Sequence, residues 1–338
     1  ETTPIVAELL TGGGPVDRYG QAVLIRLPEH PDPAHLAGAV QALLDRHDAL
    51  RMRLTASRTL EVLPAGAVAA EAVLHRTPVD EPRGAAEAAL EAAADRLDPA
   101  AGIVAQFAWL ASPGGRDDLL VAVVHHLAVD AVSWRILLPD LAAAYTHGGA
   151  ASALAPVGTS LRRWAHGLTE TDRSDELPLW ERILATPDPA LGERPFDPAR
   201  DTAATSAQLR VRVPAEVTDA VLTAVPQRFH CGPVEALLAA LGLAAERWRR
   251  NRGRPAPATL VGVEGHGREE AAVPGADLSR TVGWFTTVHP LDVDLTGIDV
   301  DDAFGGGAAA GAAIRSVKER LVAVPDHRSE EHTSELQS

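Results

Sequence analysis

Six consecutive apolar residues at 119–124 run straight into two histidines, His125 and His126. An unbroken apolar run of that length suits a strand covered on both faces, which a layered sheet with helices on either side provides. A short loop holding Asp130 follows, and an amphipathic helix pattern over about 132–146 comes directly after it. The chain is therefore expected to build an α/β layer in which a buried strand ends where titratable side chains collect.

The rest of the chain repeats that alternation. A strand is predicted over 21–27, then a helix opened by Asp32 and Pro33, with Leu36, Val40, Leu43 and Leu44 on one apolar face. Short strands are predicted at 50–54 and 59–63, an Ala-rich helix at 84–97 and a strand at 104–111. Residues 148–200 turn toward Gly, Pro, Ser and Asp and read as a connection with one helix, near 175–186. A second series follows: strand 207–213, helices 215–225 and 233–250, strands 258–264 and 283–291, helix 308–322. Two such series suggest two related lobes, although no sequence repeat proves it.

Composition excludes several function classes. With 46% hydrophobic and 23% charged residues, the 338-residue chain is ordinary globular material, long enough for two cores. A net charge of −15 without a basic stripe argues against nucleic acid and against anionic lipid. The lone Cys231 rules out an internal disulfide framework and fits a reducing cytoplasm. No signal peptide precedes Pro4, and no apolar run reaches the ~18 residues of a membrane span. The opening Glu1-Thr2-Thr3, with no initiator Met, reads as a segment of something longer.

Two constellations carry chemistry. At the first, consecutive strand residues point to opposite faces, so only one of His125 and His126 faces a given cleft. Imidazole is the side chain that titrates nearest neutrality, and Asp130 can orient it or fix the loop. A metal site would need further ligands at a recognised spacing, and none stands nearby. A hydrolase triad with Ser133 lacks a G-x-S-x-G elbow, so Ser133 is expected to stabilise the first turn of the helix. At the second, the strand TLVGV leads into Glu264-Gly265-His266-Gly267-Arg268-Glu269, where the glycines allow a sharp turn or a close approach. Burial would raise the Glu264 pKa toward a catalytic range. By the residues alone, the plainer reading of this segment is a strand-to-loop turn with solvated charges.

The run His125-His126-Leu127-Ala128-Val129-Asp130-Ala131 resembles the HHxxxDG motif of the condensation-domain superfamily, with Ala131 where Gly is usual. Val132-Ser133-Trp134-Arg135 is similar to the epimerization branch, as are EGHGRE at 264–269 and RTVGWFT at 280–286. His289-Pro290 departs from the more familiar Tyr or Phe before Pro, and Thr3-Pro4-Ile5 with residues 14–18 resemble the opening of actinobacterial members. The resemblance covers residues 3–327. It implies an epimerization domain of a nonribosomal peptide synthetase with a two-lobed chloramphenicol-acetyltransferase-like α/β fold.

On that resemblance the N-terminal lobe spans 1–160 and carries HHxxxD, a connection spans 161–200, and a partial C-terminal lobe over 201–327 carries EGHGRE. Family members continue after 327 into a Gly-rich GxGYG-type motif, so the second lobe is expected to be incomplete. Residues 328–338, RSEEHTSELQS, look like a translated sequencing adaptor and are expected to be non-native. The implied chemistry inverts the α-carbon of an aminoacyl or peptidyl thioester, with His126 and Glu264 as opposed acid and base facing one channel. Asp130 is expected to pair with Arg268 across that channel, with His125, Ser133, Trp134, His266 and Trp284 as orienting or structural neighbours. No intrinsic cofactor and no metal are expected. The substrate would arrive on the phosphopantetheine arm of an upstream peptidyl carrier protein, beside adjacent synthetase domains. Amide-bond formation between two carrier-bound substrates, or a non-catalytic carrier-docking module, are the competing readings.

Overall fold

The computed structural model describes residues 2–325, and the expected non-native tail lies outside them. The described residues divide into two units, one of residues 2–172 and 266–287 and another of 173–265 and 288–325. The expected lobe boundaries therefore shift. Residues 161–172 and the whole stretch 266–287, including His266, Arg268 and Trp284, belong to unit 1. Glu264 belongs to unit 2.

Unit 1 opens with α1 (Pro4–Thr11), β1 (Gly20–Arg26) and α2 (Pro33–Arg46). Asp32 caps α2 as its sequence suggested, its Oδ1 accepting from the Ala34 and His35 N–H groups at 2.7 and 3.1 Å. A small ribbon of β2 (Met52–Leu54) and β3 (Leu60–Val62) follows, then α3 (Ala70–Val73), β4 (Leu74–Pro78) and α4 (Pro82–Ala94). Next come β5 (Ala105–Ala111), β6 (Leu119–His125), α5 (Ala131–Thr146) and α6 (Leu161–Glu170).

The main sheet has the order β1-β6-β5-β4, antiparallel except for the β4–β5 pair. Every residue of β5 and β6 is buried. Alternation explains how. Leu120, Ala122 and Val124 pack with Leu36, Val40, Ile136 and Leu141 of α2 and α5, while Leu119, Val121 and Val123 pack with Ala93, Ala94 and Leu97 at and just beyond α4. Cross-strand register places Gln21, Val23 and Ile25 of β1 opposite Val124, Ala122 and Leu120, so these three share the α2/α5 face.

Unit 2 contains α7 (Leu177–Leu184), α8 (Ala215–Leu222), α9 (Ala224–Phe229), α10 (Pro233–Arg250), β7 (Ala258–Gly265), β8 (Thr287–Asp294), α11 (Val300–Phe304) and α12 (Ala308–Val322). Its core gathers Ala239 and Leu243 of α10, Leu291 and Val293 of β8, and Ala313, Val317 and Leu321 of α12. The buried Arg249 ties the segment after α7 to β7, bonding Asp188 at 2.6 Å and the Ala258 carbonyl at 2.9 Å.

Two predicted strands differ. Residues 207–213 alternate Leu209, Val211 and Val213 with polar residues, yet pair with no strand among the described residues and leave those three 90, 75 and 55% exposed. Pattern sets which face a strand shows, but a ladder needs a partner. The strand expected at 283–291 starts only at Thr287, because backbone N–H groups at Gly283 and Phe285 bond side chains of unit 1 instead.

Leu120→Ala, fully buried in β6, is expected to cost about 2–5 kcal/mol by cavity formation. Leu24→Ala on the half-exposed face of β1 should stay within about 0.5 kcal/mol. Urea unfolding of the two variants checks both.

Candidate active site

The two histidines divide at the end of β6. His125 is the last strand residue and is fully buried. Its Nδ1 accepts the Leu127 N–H at 3.1 Å and its Nε2–H donates to the Val16 carbonyl at 2.7 Å. Both nitrogens are thus occupied by backbone. Burial pushes its pKa down, the Val16 bond opposing it. His126 opens the following short turn and is half-buried. Its ring contacts Tyr19, with centroids 5.1 Å apart and planes at 14°, and Trp284 at 4.2 Å and 37°. Its Nε2 lies 3.0 Å from Gln21 Nε2. Gln21 Oε1 in turn accepts from the Trp134 indole N–H at 2.8 Å. Nδ1 of His126 is buried with no hydrogen-bond partner among the described residues.

Asp130 has no such freedom. It caps α5, its Oδ1 accepting the Ser133 N–H at 2.7 Å, where the helix N-terminus favours a negative charge. Arg268 Nη2 donates to Oδ1 and Oδ2 at 3.0 and 3.2 Å and to Ser133 Oγ at 3.2 Å. The Phe285 N–H reaches Oδ2 at 3.3 Å. Ser133 Oγ also lies 2.7 Å from Asp130 Oδ1 and 3.0 Å from the Gly283 carbonyl, and accepts the Gly283 N–H at 3.1 Å. Burial lowers the Arg268 pKa and the Asp130 charge pulls it back. The guanidinium also lies 4.1 Å from the Phe285 ring centroid. The expected Asp130–Arg268 pair is present, but inside unit 1. Ser133 is part of this knot as well as of the helix turn.

Ala131, where the motif's Gly was expected, is the first residue of α5 and has no positive φ, so a side chain is accommodated without strain. Gly267 is different. Its φ is +67° and an added Cβ would overlap the Phe285 carbonyl oxygen. A second buried cluster holds the neighbouring stretch. Asp140 Oδ2 accepts from His47 Nε2–H at 2.9 Å while Oδ1 pairs with Arg280. Burial opposes ionisation of Asp140, but these two donors outweigh it and hold the carboxyl below its usual range.

Of the EGHGRE groups, Arg268 is locked in this way and His266 is exposed, its Nδ1 accepting the Arg268 N–H at 3.0 Å. Glu264, on the exposed side of β7 opposite the partly buried Val261 and Val263, has no side-chain partner among the described residues. Unit 1 thus brings His126, Trp134, Asp130, Ser133, Arg268 and Trp284 together, while Glu264 stands on unit 2. Sequence reasoning missed Tyr19 and Gln21. The signal was present for Gln21: it is the one polar member of the inward series Gln21, Val23, Ile25.

A family model described as the condensation domain matches residues 16–332. The chain belongs to the condensation-domain family. It is 34% identical over 340 residues to a linear gramicidin synthase of Brevibacillus parabrevis, covering 96% of this chain and 4% of that protein. Against surfactin synthase subunit 2 of Bacillus subtilis (strain 168), it is 32% identical over 323 residues, covering 91% and 8%. This condensation-family chain therefore spans less than a tenth of either synthetase. Among solved structures, the epimerization domain from the third module of tyrocidine synthetase B matches with a TM-score of 0.79 at 24% identity, covering 97% of this chain and 73% of that one. The X-domain from teicoplanin biosynthesis matches with a TM-score of 0.70 at 19% identity, covering 98% and 71%. The fold is the mixed α/β condensation-domain fold. Among the described residues, no helix is long and apolar enough to cross a membrane.

Removing the Asp130 carboxylate leaves a buried guanidinium uncompensated, so Asp130→Ala is expected to destabilise by about 3–5 kcal/mol, read from the urea midpoint. Stability should also fall between pH 7.5 and 5.5. The unfolded chain protonates His125 near its usual value of about 6.5, whereas the buried ring resists. Its contribution is complete above the unfolded value and is lost as pH falls toward the depressed folded one. His125→Asn should shrink that pH dependence while lowering stability at pH 7.5.

Proposed function

We propose that this domain inverts the α-carbon of an aminoacyl or peptidyl group, L to D, while it hangs as a thioester on the phosphopantetheine arm of a peptidyl carrier protein. Membership of the condensation-domain family supports a catalytic domain of a nonribosomal peptide synthetase. The epimerization branch is supported by the EGHGRE segment and by the fold likeness to a tyrocidine synthetase epimerization domain. One observation carries the reading. Arg268 of EGHGRE is committed to the Asp130 of HHxxxD, whereas Glu264 of the same segment is left exposed without a side-chain partner among the described residues.

In the reaction the Cα–H bond breaks, the proton passes to one of His126 and Glu264, and its electrons delocalise onto the thioester carbonyl. The second of the two groups then returns a proton to the other face of the carbon. General acid–base catalysis of this kind contributes roughly 10²–10⁴-fold. Stabilisation of the enolate must supply more. Carrier and neighbouring synthetase domains are the partners this chemistry requires, in the cytoplasm, and the domain needs no resident cofactor for it.

The test uses the whole synthetase module with its carrier loaded with an L-aminoacyl group. Wild type should exchange the α-hydrogen with solvent deuterium and give D product on chiral analysis. Glu264→Gln and His126→Asn should each lower both by roughly 10² or more. Wild-type exchange in Glu264→Gln sinks the assignment. Peptide formation requiring two loaded carriers, with no exchange on one, transfers the domain to amide-bond chemistry.

A further inference from the structure

The hydrogen bonds around His126 contain a direction that its acid–base role does not state. Trp134 has only a donor, its indole N–H, so the Gln21 atom 2.8 Å from it must be the amide oxygen. That fixes the flip of the Gln21 amide and turns its NH₂ toward His126 Nε2, 3.0 Å away. The NH₂ group can only donate, so Nε2 must accept, and the imidazole proton sits on Nδ1. Tyr19 and Trp284 meet the ring through their faces and compete for neither nitrogen in its plane. The backbone neighbour His125 has both nitrogens engaged elsewhere.

We propose that Trp134 and Gln21 form a latch that holds His126 as the neutral Nδ1–H tautomer, with the Nε2 lone pair as its proton-accepting atom. Gln21 is a positioning residue in this scheme, and Trp134 is its anchor. Nδ1 is buried and already carries its hydrogen, so Nε2 is the nitrogen left to receive a proton. When Nε2 becomes protonated, its N–H faces the Gln21 NH₂, donor against donor. Gln21 can present its oxygen to Nε2–H only by turning its NH₂ onto the Trp134 N–H, another clash of donors. The resting latch therefore keeps His126 neutral with Nε2 covered, and it must release before Nε2 can take a proton, so its release accompanies each proton His126 carries. The catalytic part of this inference rests on the epimerization reading; the tautomer does not.

Histidine ¹⁵N–¹H correlation spectra of the 338-residue chain test the latch without substrate. The His126 signal is assigned by its loss in His126→Asn. Wild type should show the Nδ1–H form. In Gln21→Glu a carboxylate can accept from both neighbours, so the ring should switch to Nε2–H or to imidazolium. Trp134→Phe frees the amide and should give a mixture of tautomers. An Nε2–H form in the wild type overturns the proposal, as does an unchanged Nδ1–H form in both variants. In the loaded module, Gln21→Glu should lower the rate of α-hydrogen exchange at saturating substrate on the order of tenfold or more, as wrong-tautomer variants of imidazole bases do. Absence of exchange in the wild type would remove the epimerization reading while leaving the tautomer result standing. Exchange in the wild type with the Nε2–H form would remove the latch alone.

Discussion

A guanidinium taken out of water needs partners, and Arg268 finds them in Asp130, Ser133 and two backbone carbonyls of unit 1, its buried Nε alone lacking one among the described residues. The same Asp130 caps α5 and receives the Phe285 N–H, so one carboxylate organises a helix start, a loop and a distant stretch of chain. This explains an otherwise odd division. Strand β7 and all of β8 after Thr287 belong to unit 2, yet the residues joining the strands, 266–286, are part of unit 1. The connection is held where its buried charge is satisfied. Asp140, with His47 and Arg280, repeats the device one cluster further along.

That anchoring sets the surroundings of His126. Gly283, Trp284 and Phe285 follow one another, and the first and third are tied by backbone N–H groups to Ser133 and Asp130. The Trp284 ring is thereby delivered to the imidazole, and the Thr3 hydroxyl adds a bond to its carbonyl at 3.1 Å. The two adjacent histidines end in opposite circumstances. His125 has every polar atom answered by backbone, whereas His126 meets ring faces and one amide. His126 thus has one ring nitrogen against a single side-chain amide and the other buried without a partner among the described residues.

Sequence reasoning succeeded where a local pattern has a local cause. Asp32 followed by Pro33 announced a helix start, and the apolar run at 119–124 announced a strand buried on both faces. The amphipathic helix Leu161–Glu170, by contrast, sat in a stretch read as connection with one helix, because its Gly- and Pro-rich neighbours dominated the composition. Residues 207–213 show the opposite error, a strand pattern without a ladder. In 283–286 the apolar pattern read as strand, but backbone donors had been claimed by Ser133 and Asp130, 150 and 155 residues earlier.

The amino-acid order by itself determined which residues carry charge and ionisable groups, which faces of the helices and strands are apolar, and which motifs mark the chain as a condensation-family domain. Those features follow from side-chain chemistry and from periods of 2 and 3.6 residues, which need no knowledge of distant contacts. Only the tertiary structure decided that Arg268 is captured within unit 1, that backbone groups take both nitrogens of His125, and that Gln21 rather than a carboxylate meets His126 Nε2. Each of these rests on a hydrogen bond between atoms far apart in sequence. Such a bond is chosen when packing removes water and leaves a buried donor or acceptor with one available partner.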